Sequence, residues 1–69
     1  MTAKTAIEYT YKAASGRSAL YIQGPFYFAD DGRDPVAQAK ERCAQYGDTV
    51  ESAKRVDVSG WKSTEMVSR

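Results

Sequence analysis

The chain has 69 residues, one Cys, no His, and a formal net charge of +1 from ten basic and nine acidic side chains. At this length it forms one domain. The composition excludes His-based acid–base work, Ser-His-Asp triads, Cys-His dyads, an internal disulfide framework and a thiolate zinc site. No G-x-G-x-x-G or G-x-x-x-x-G-K-[ST] run is present, so the usual dinucleotide and phosphate loops are absent. Aliphatic content is low: one Leu, two Ile and five Val. Balanced charge, five Tyr, two Phe and one Trp still favour a small folded α+β domain with a thin core over disorder.

The elements follow in chain order. Over Thr5 to Lys12 the residues alternate, with Ile7, Tyr9 and Tyr11 on one side and Ala6, Glu8, Thr10 and Lys12 on the other. That period of two predicts a strand with one wet face. Residues 13–16 end in Gly16 and read as a short hairpin loop. A second strand is expected over residues 17–23, with Leu20 and Ile22 inward. A four-residue loop then sets Lys12 opposite Arg17, Glu8 opposite Tyr21, Tyr9 opposite Leu20 and Ile7 opposite Ile22. Gly24-Pro25 marks a bulge, bend or edge. If the strand resumes past it, Phe26 and Phe28 keep the core side and Tyr27 points outward.

Residues 29–33 read as a loop. Asp34-Pro35 is a helix start, with Asp as N-cap and Pro at the first helical position. The helix is predicted over residues 35–46, and Gly47 ends it. Val36, Ala39, Cys43 and Tyr46 form its inward stripe; Gln38, Glu41, Arg42 and Gln45 face water. A third strand is expected over residues 49–59. Val50, Val56 and Val58 share one parity there, and Glu51, Ala53, Arg55 and Asp57 take the other. Ser59-Gly60 turns the chain into a short fourth strand over residues 61–67, with residues 63–69 frayed. The fold class is thus α+β: a small antiparallel sheet in β-β-α-β order, with one helix on one face.

Two clusters of chemistry-bearing residues read as structural. Asp30, Asp31 and Asp34 lack the ligand spacing and distal Glu of a calcium loop, and fit turn chemistry plus a helix cap. Cys43 lies on the inward helical stripe with nothing nearby to lower its pKa, which fits a buried thiol. Tyr9 and Tyr11 are core aromatics. The candidate binding group is the outward set Lys12, Arg17, Tyr21 and Arg55, expected on the sheet face away from the helix and joined there by Tyr27 and Trp61. Trp, Tyr and Arg dominate binding energetics at protein interfaces.

The stretch Gln38-Ala39-Lys40-Glu41-Arg42-Cys43, leading through Thr49-Val50 to Gly60-Trp61, describes a short helix feeding a strand and then a Gly-Trp turn. In this it resembles small phage-encoded anti-CRISPR proteins, over about the C-terminal half of the chain. The resemblance implies a stoichiometric inhibitor that docks on a bacterial defence protein or nucleoprotein complex in the host cytoplasm. That family is diverse, so no functional residue is carried over from it. The near-neutral charge argues against the DNA-mimic mechanism of its acidic members.

The expected function is therefore non-enzymatic protein binding, with no cofactor, metal or small-molecule substrate. The alternative is a nucleic-acid-binding module using Lys12, Arg17, Arg55 and Lys62, although Glu8, Glu51 and Asp57 share the expected face. A ubiquitin-like reading fits the first four elements but lacks a clear final strand and a Gly-Gly tail. The free Cys, the absence of an apolar leader in the first nine residues and the lack of an 18-residue apolar run lead to the expectation of a cytoplasmic protein.

Overall fold

The computed structural model describes residues 4–68 of the chain; Arg69, at the end expected to fray, lies outside them. The elements are β1 (Thr5–Lys12), a 3-10 turn (Arg17–Leu20), β2 (Gln23–Ala29), α1 (Pro35–Ala44), β3 (Thr49–Asp57) and a second 3-10 turn (Ser63–Glu65). The strands form one open antiparallel sheet in the order β2-β1-β3. The α+β class and the β-β-α-β order are those expected from the sequence. Among the described residues no helix is long and apolar enough to cross a membrane.

β1 occupies the centre because its alternation supplies an apolar set on one side. Tyr9 and Tyr11 pack with Ala39 and Cys43 of α1, flanked by Phe26, Phe28, Val50 and Ala53. Ala39 and Cys43 are small, so α1 lies close to the sheet, and aromatic rings fill the space between. The Tyr9 ring meets Phe28 edge-on at 5.4 Å between centroids, and Tyr11 stacks with Phe26 at 5.9 Å. Such ring pairs add stability beyond their buried area. Asp34 caps α1 as expected, its carboxylate accepting the Ala37 N–H at 3.0 Å.

The first correction concerns β2. Residues 17–20 form the 3-10 turn, and residues 13–22 all belong to the connection. The expected pairs of Tyr9 with Leu20, Ile7 with Ile22, and Glu8 with Tyr21 give way to Tyr9 with Phe26, Ile7 with Phe28, and Glu8 with Tyr27. Two aromatic rings bury more area against Tyr9 and Tyr11 than Leu20 and Ile22 would. Gly24 makes this register feasible. Its φ of +110° absorbs the extra residue between Phe26 and Gln23, and a Cβ there would sit 2.9 Å from the Tyr9 carbonyl oxygen. Pro25 is tolerated because β2 is an edge strand. Phe26 and Phe28 do face the core side, and Tyr27 does point away.

The second correction concerns β3. Thr10 pairs with Ser52 but Tyr11 pairs with Val50, so Glu51 is an extra, bulged residue. The bulge switches parity. Val50 joins Ala53 against the core, while Val56, opposite Ala6, takes the far face. Arg55 lies opposite Ile7, on the helix side rather than the bare side.

Further differences follow from packing. α1 ends at Ala44. Tyr46 and Val36, expected inward, are 53% and 39% exposed, while Gln38, expected in water, is 3% exposed. Gln38 is buried because every polar end of its amide is used, as described below. The expected fourth strand is a 3-10 turn, and the tail instead meets β2 through one bond, from the Tyr27 N–H to the Val67 carbonyl at 2.9 Å.

Candidate docking surface

The six side chains expected on one bare face occupy three separate places. Arg55 belongs to a polar knot at the N-terminal end of α1. Its guanidinium pairs with Asp30 through Nε and Nη2 and donates from Nη2 to the Arg33 carbonyl at 2.6 Å. The Asp30 carboxylate, 4% exposed at its side chain, also accepts from Thr5 Oγ1, the Gly32 N–H and Gln38 Nε2, each at 2.9 Å. Gln38 closes the knot, donating to the Arg33 carbonyl at 2.8 Å and accepting the Asp31 N–H at 3.0 Å. Arg55, then the Gln38 amide, hold the Asp30 carboxyl well below the usual carboxylate range. These contacts tie β1, the loop before α1, α1 and β3 together, so Arg55 is committed to the fold.

Tyr27 and Trp61 meet on the sheet face away from α1, ring to ring at 5.1 Å and 76°. The Tyr27 hydroxyl donates to Glu8 Oε2 at 2.8 Å, and Lys54 Nζ approaches Glu8 Oε1 at 3.4 Å. Partial burial, then the Glu8 carboxylate, raise the Tyr27 pKa above its ordinary value. By alternation Ala6, Val56 and Val58 lie on this face too, and Ala6 and Val58 are buried. The chain turns there through a Val58 N–H bond to the Lys4 carbonyl and a Trp61 N–H bond to the Val58 carbonyl. This end of the face is thus covered by the chain's own tail.

Lys12, Arg17 and Tyr21 form the third group, at the connection between β1 and β2. The Ala19 N–H donates to the Gly16 carbonyl, and Gly16 reverses the chain with a φ of +79°. The next three residues project outward: Leu20 is 74% exposed, Tyr21 60% and Ile22 54%. Lys12, the last residue of β1, and Arg17, the first of the 3-10 turn, are exposed as well. Leu20 and Ile22 are the residues the sequence reading missed. The available signal was the aromatic pair Phe26 and Phe28, which outcompetes them for the same partners on β1.

A shallow cleft of about 270 Å³ lies between β2 and α1, lined by Phe28, Asp31, Arg33, Gln38, Glu41 and Arg42 among others. Its charges answer one another: Arg33 bridges Asp31 and Glu41, and the Arg42 guanidinium sits 4.7 Å over the Phe28 ring. Cys43 is buried. Among the described residues no group of three or more His, Cys, Asp or Glu is placed to hold a metal ion. Comparison with protein-family models, curated proteins and solved structures finds no match for this chain.

Proposed function

We propose that this chain is a non-enzymatic binding protein that docks on a bacterial CRISPR–Cas protein or nucleoprotein and blocks it stoichiometrically. Leu20, Tyr21 and Ile22 serve as the anchor, with Lys12 and Arg17 as its polar rim. One observation carries the reading. A chain with one Leu and two Ile leaves that Leu and one Ile exposed, in consecutive positions around a Tyr. Each such side chain gains about 1.5–3 kcal/mol when a partner buries it, and Tyr and Arg are typical interface anchors. The partner class comes from the resemblance carried by residues 38–61.

The test is titration of the purified chain into CRISPR–Cas effectors while target cleavage or target binding is followed. Inhibition should saturate at one chain per binding site. The Leu20→Asp/Ile22→Asp variant, folded by circular dichroism, should lose it. A double variant that inhibits like the wild type would remove the anchor, and an absence of inhibition across effector types would remove the partner class. The alternative, a nucleic-acid-binding module, has less support, because Arg55 is paired with Asp30 and Lys54 lies near Glu8. It requires affinity that falls steeply with salt.

A further inference from the structure

The outer edge of β3 is a long stretch of main chain, nine residues from Thr49 to Asp57, with no strand beyond it among the described residues. An edge of this kind offers a row of N–H and C=O groups to another strand. The other edge, on β2, is seven residues long and meets Val67 at Tyr27.

The sequence of β3 is complementary to itself. In an antiparallel pair related by a two-fold axis, the axis passes through a residue facing its own copy, because successive pairs alternate between hydrogen-bonded and non-hydrogen-bonded types. Centring on Ala53 sets Glu51 opposite Arg55 of the second copy, twice, and Ser52 opposite Lys54, twice. Centring on Lys54 would set Glu51 against Asp57, two like charges. Centring on Ser52 would leave Glu51 opposite Ala53 and Val50 opposite Lys54. Centring on Val56 would also match charge, Arg55 opposite Asp57, but it pairs only the last three residues of β3, and Asp57 is already held by Ser59. The Ala53 register spans the whole strand and places its smallest side chain on the axis. The bulge at Glu51 interrupts the regular ladder, so the main-chain pairing is centred on residues 52–54, while Glu51, of the same parity as Ala53 and Arg55, keeps the helix side of the strand.

The side chains permit it. Glu51 is exposed and has no hydrogen-bond or ion-pair partner among the described residues. Arg55 spends Nε and Nη2 on Asp30 and the Arg33 carbonyl, while its side chain stays 39% exposed, which leaves Nη1 for an incoming carboxylate. Arg42 marks the β2 side of α1 by lying over Phe28. At 100° per residue, the opposite side, toward the β3 edge, carries Val36, Lys40 and Ala44. All three are exposed, and none is an acid or an aromatic that would hold a second helix away.

We infer that β3 pairs with β3 of a second copy in antiparallel register about Ala53, joining two three-stranded sheets into one of six strands. The two Leu20–Ile22 segments, beside β2, then lie on the outer sides of the dimer, so the inference is independent of the docking segment. Sedimentation equilibrium should give twice the chain mass of 7.6 kDa. Glu51→Lys sets Lys against Arg55 at both ends of the ladder. It should raise the dimer dissociation constant about tenfold or more, with an unchanged circular dichroism spectrum. A mixture of Ser52→Cys chains and Lys54→Cys chains should form a disulfide-linked heterodimer on mild oxidation, since only this register brings those two positions opposite each other. A wild type that remains monomeric at millimolar concentration, a Glu51→Lys dimer as tight as the wild type, or no cross-link would each overturn the inference.

Discussion

Two apolar triplets, Leu20-Tyr21-Ile22 and Phe26-Tyr27-Phe28, lie six residues apart and meet opposite fates. The second pairs with β1 and puts both Phe rings against Tyr9 and Tyr11. The first is left in the connection with every side chain more than half exposed. Both have the same alternation, an outward Tyr between two apolar residues, so patterning alone does not separate them. The difference teaches that one register slot on β1 was contested, and that ring area together with a glycine able to absorb the extra residue settled the contest. The losing triplet became available for binding.

The largest effect on this contrast should come from the shared platform. Tyr9→Ala removes a ring that is 1% exposed and should cost about 3–5 kcal/mol. For a chain of this length that is most of the total stability, so denaturant melts should show a largely unfolded protein. Gly24→Ala attacks the register itself. At φ +110° and 2.9 Å from the Tyr9 carbonyl, a methyl group should destabilise by more than about 1 kcal/mol. A Gly24→Ala protein with unchanged stability would mean that the bulge does not decide the pairing.

Gln38→Ala leaves the Asp31 N–H without its acceptor and removes one of the donors held by Asp30 and by the Arg33 carbonyl, which keeps Arg55; it should cost about 1–3 kcal/mol in a urea melt. Asp30 then sharpens the picture through pH. Its carboxyl is held below the unfolded value by Arg55 and Gln38. Its stabilisation is therefore present above the unfolded pKa of about 3.9 and is lost as pH falls through the lower folded value. The urea midpoint should drop below about pH 4. Asp31, Glu41 and Asp57, also lowered by their own partners, contribute to the same drop. Asp30→Asn should therefore be less stable than wild type at neutral pH and show a shallower acid decline. Equal slopes for the two proteins would remove the knot as the acid-sensitive element.

The smallest stability effect belongs to the losing triplet. Leu20→Ser and Ile22→Ser should shift unfolding by less than about 0.5 kcal/mol, while Phe26→Ala and Phe28→Ala, half-buried, should each cost about 2 kcal/mol. A loss of stability at Leu20 matching that at Phe28 would mean that residue 20 is a core position after all.

Much of the fold was legible in the chain because local chemistry speaks for it. The alternation of Ile7, Tyr9 and Tyr11 marked β1, Asp34-Pro35 marked the start of α1, and Ala39 with Cys43 marked its close approach to the sheet. Phe26 and Phe28 were assigned to the core side and Tyr27 to the other. The exposed segment was half legible: the sequence places Tyr21, Lys12 and Arg17 outward, whereas it places Leu20 and Ile22 inward, because an apolar residue in an alternating run carries no sign of which competitor will displace it.

By itself, then, the sequence determined the α+β class and the β-β-α-β order, the alternation of β1, the helix cap and the small-residue seam. Each of these depends on residues within a few positions of one another. Only the tertiary structure decided which triplet pairs with β1, where the Glu51 bulge reverses the faces of β3, and that Gln38 and Arg55 close on Asp30. Those outcomes depend on groups up to 42 residues apart competing for the same partners, and the winner is set by buried area and hydrogen-bond satisfaction rather than by local pattern.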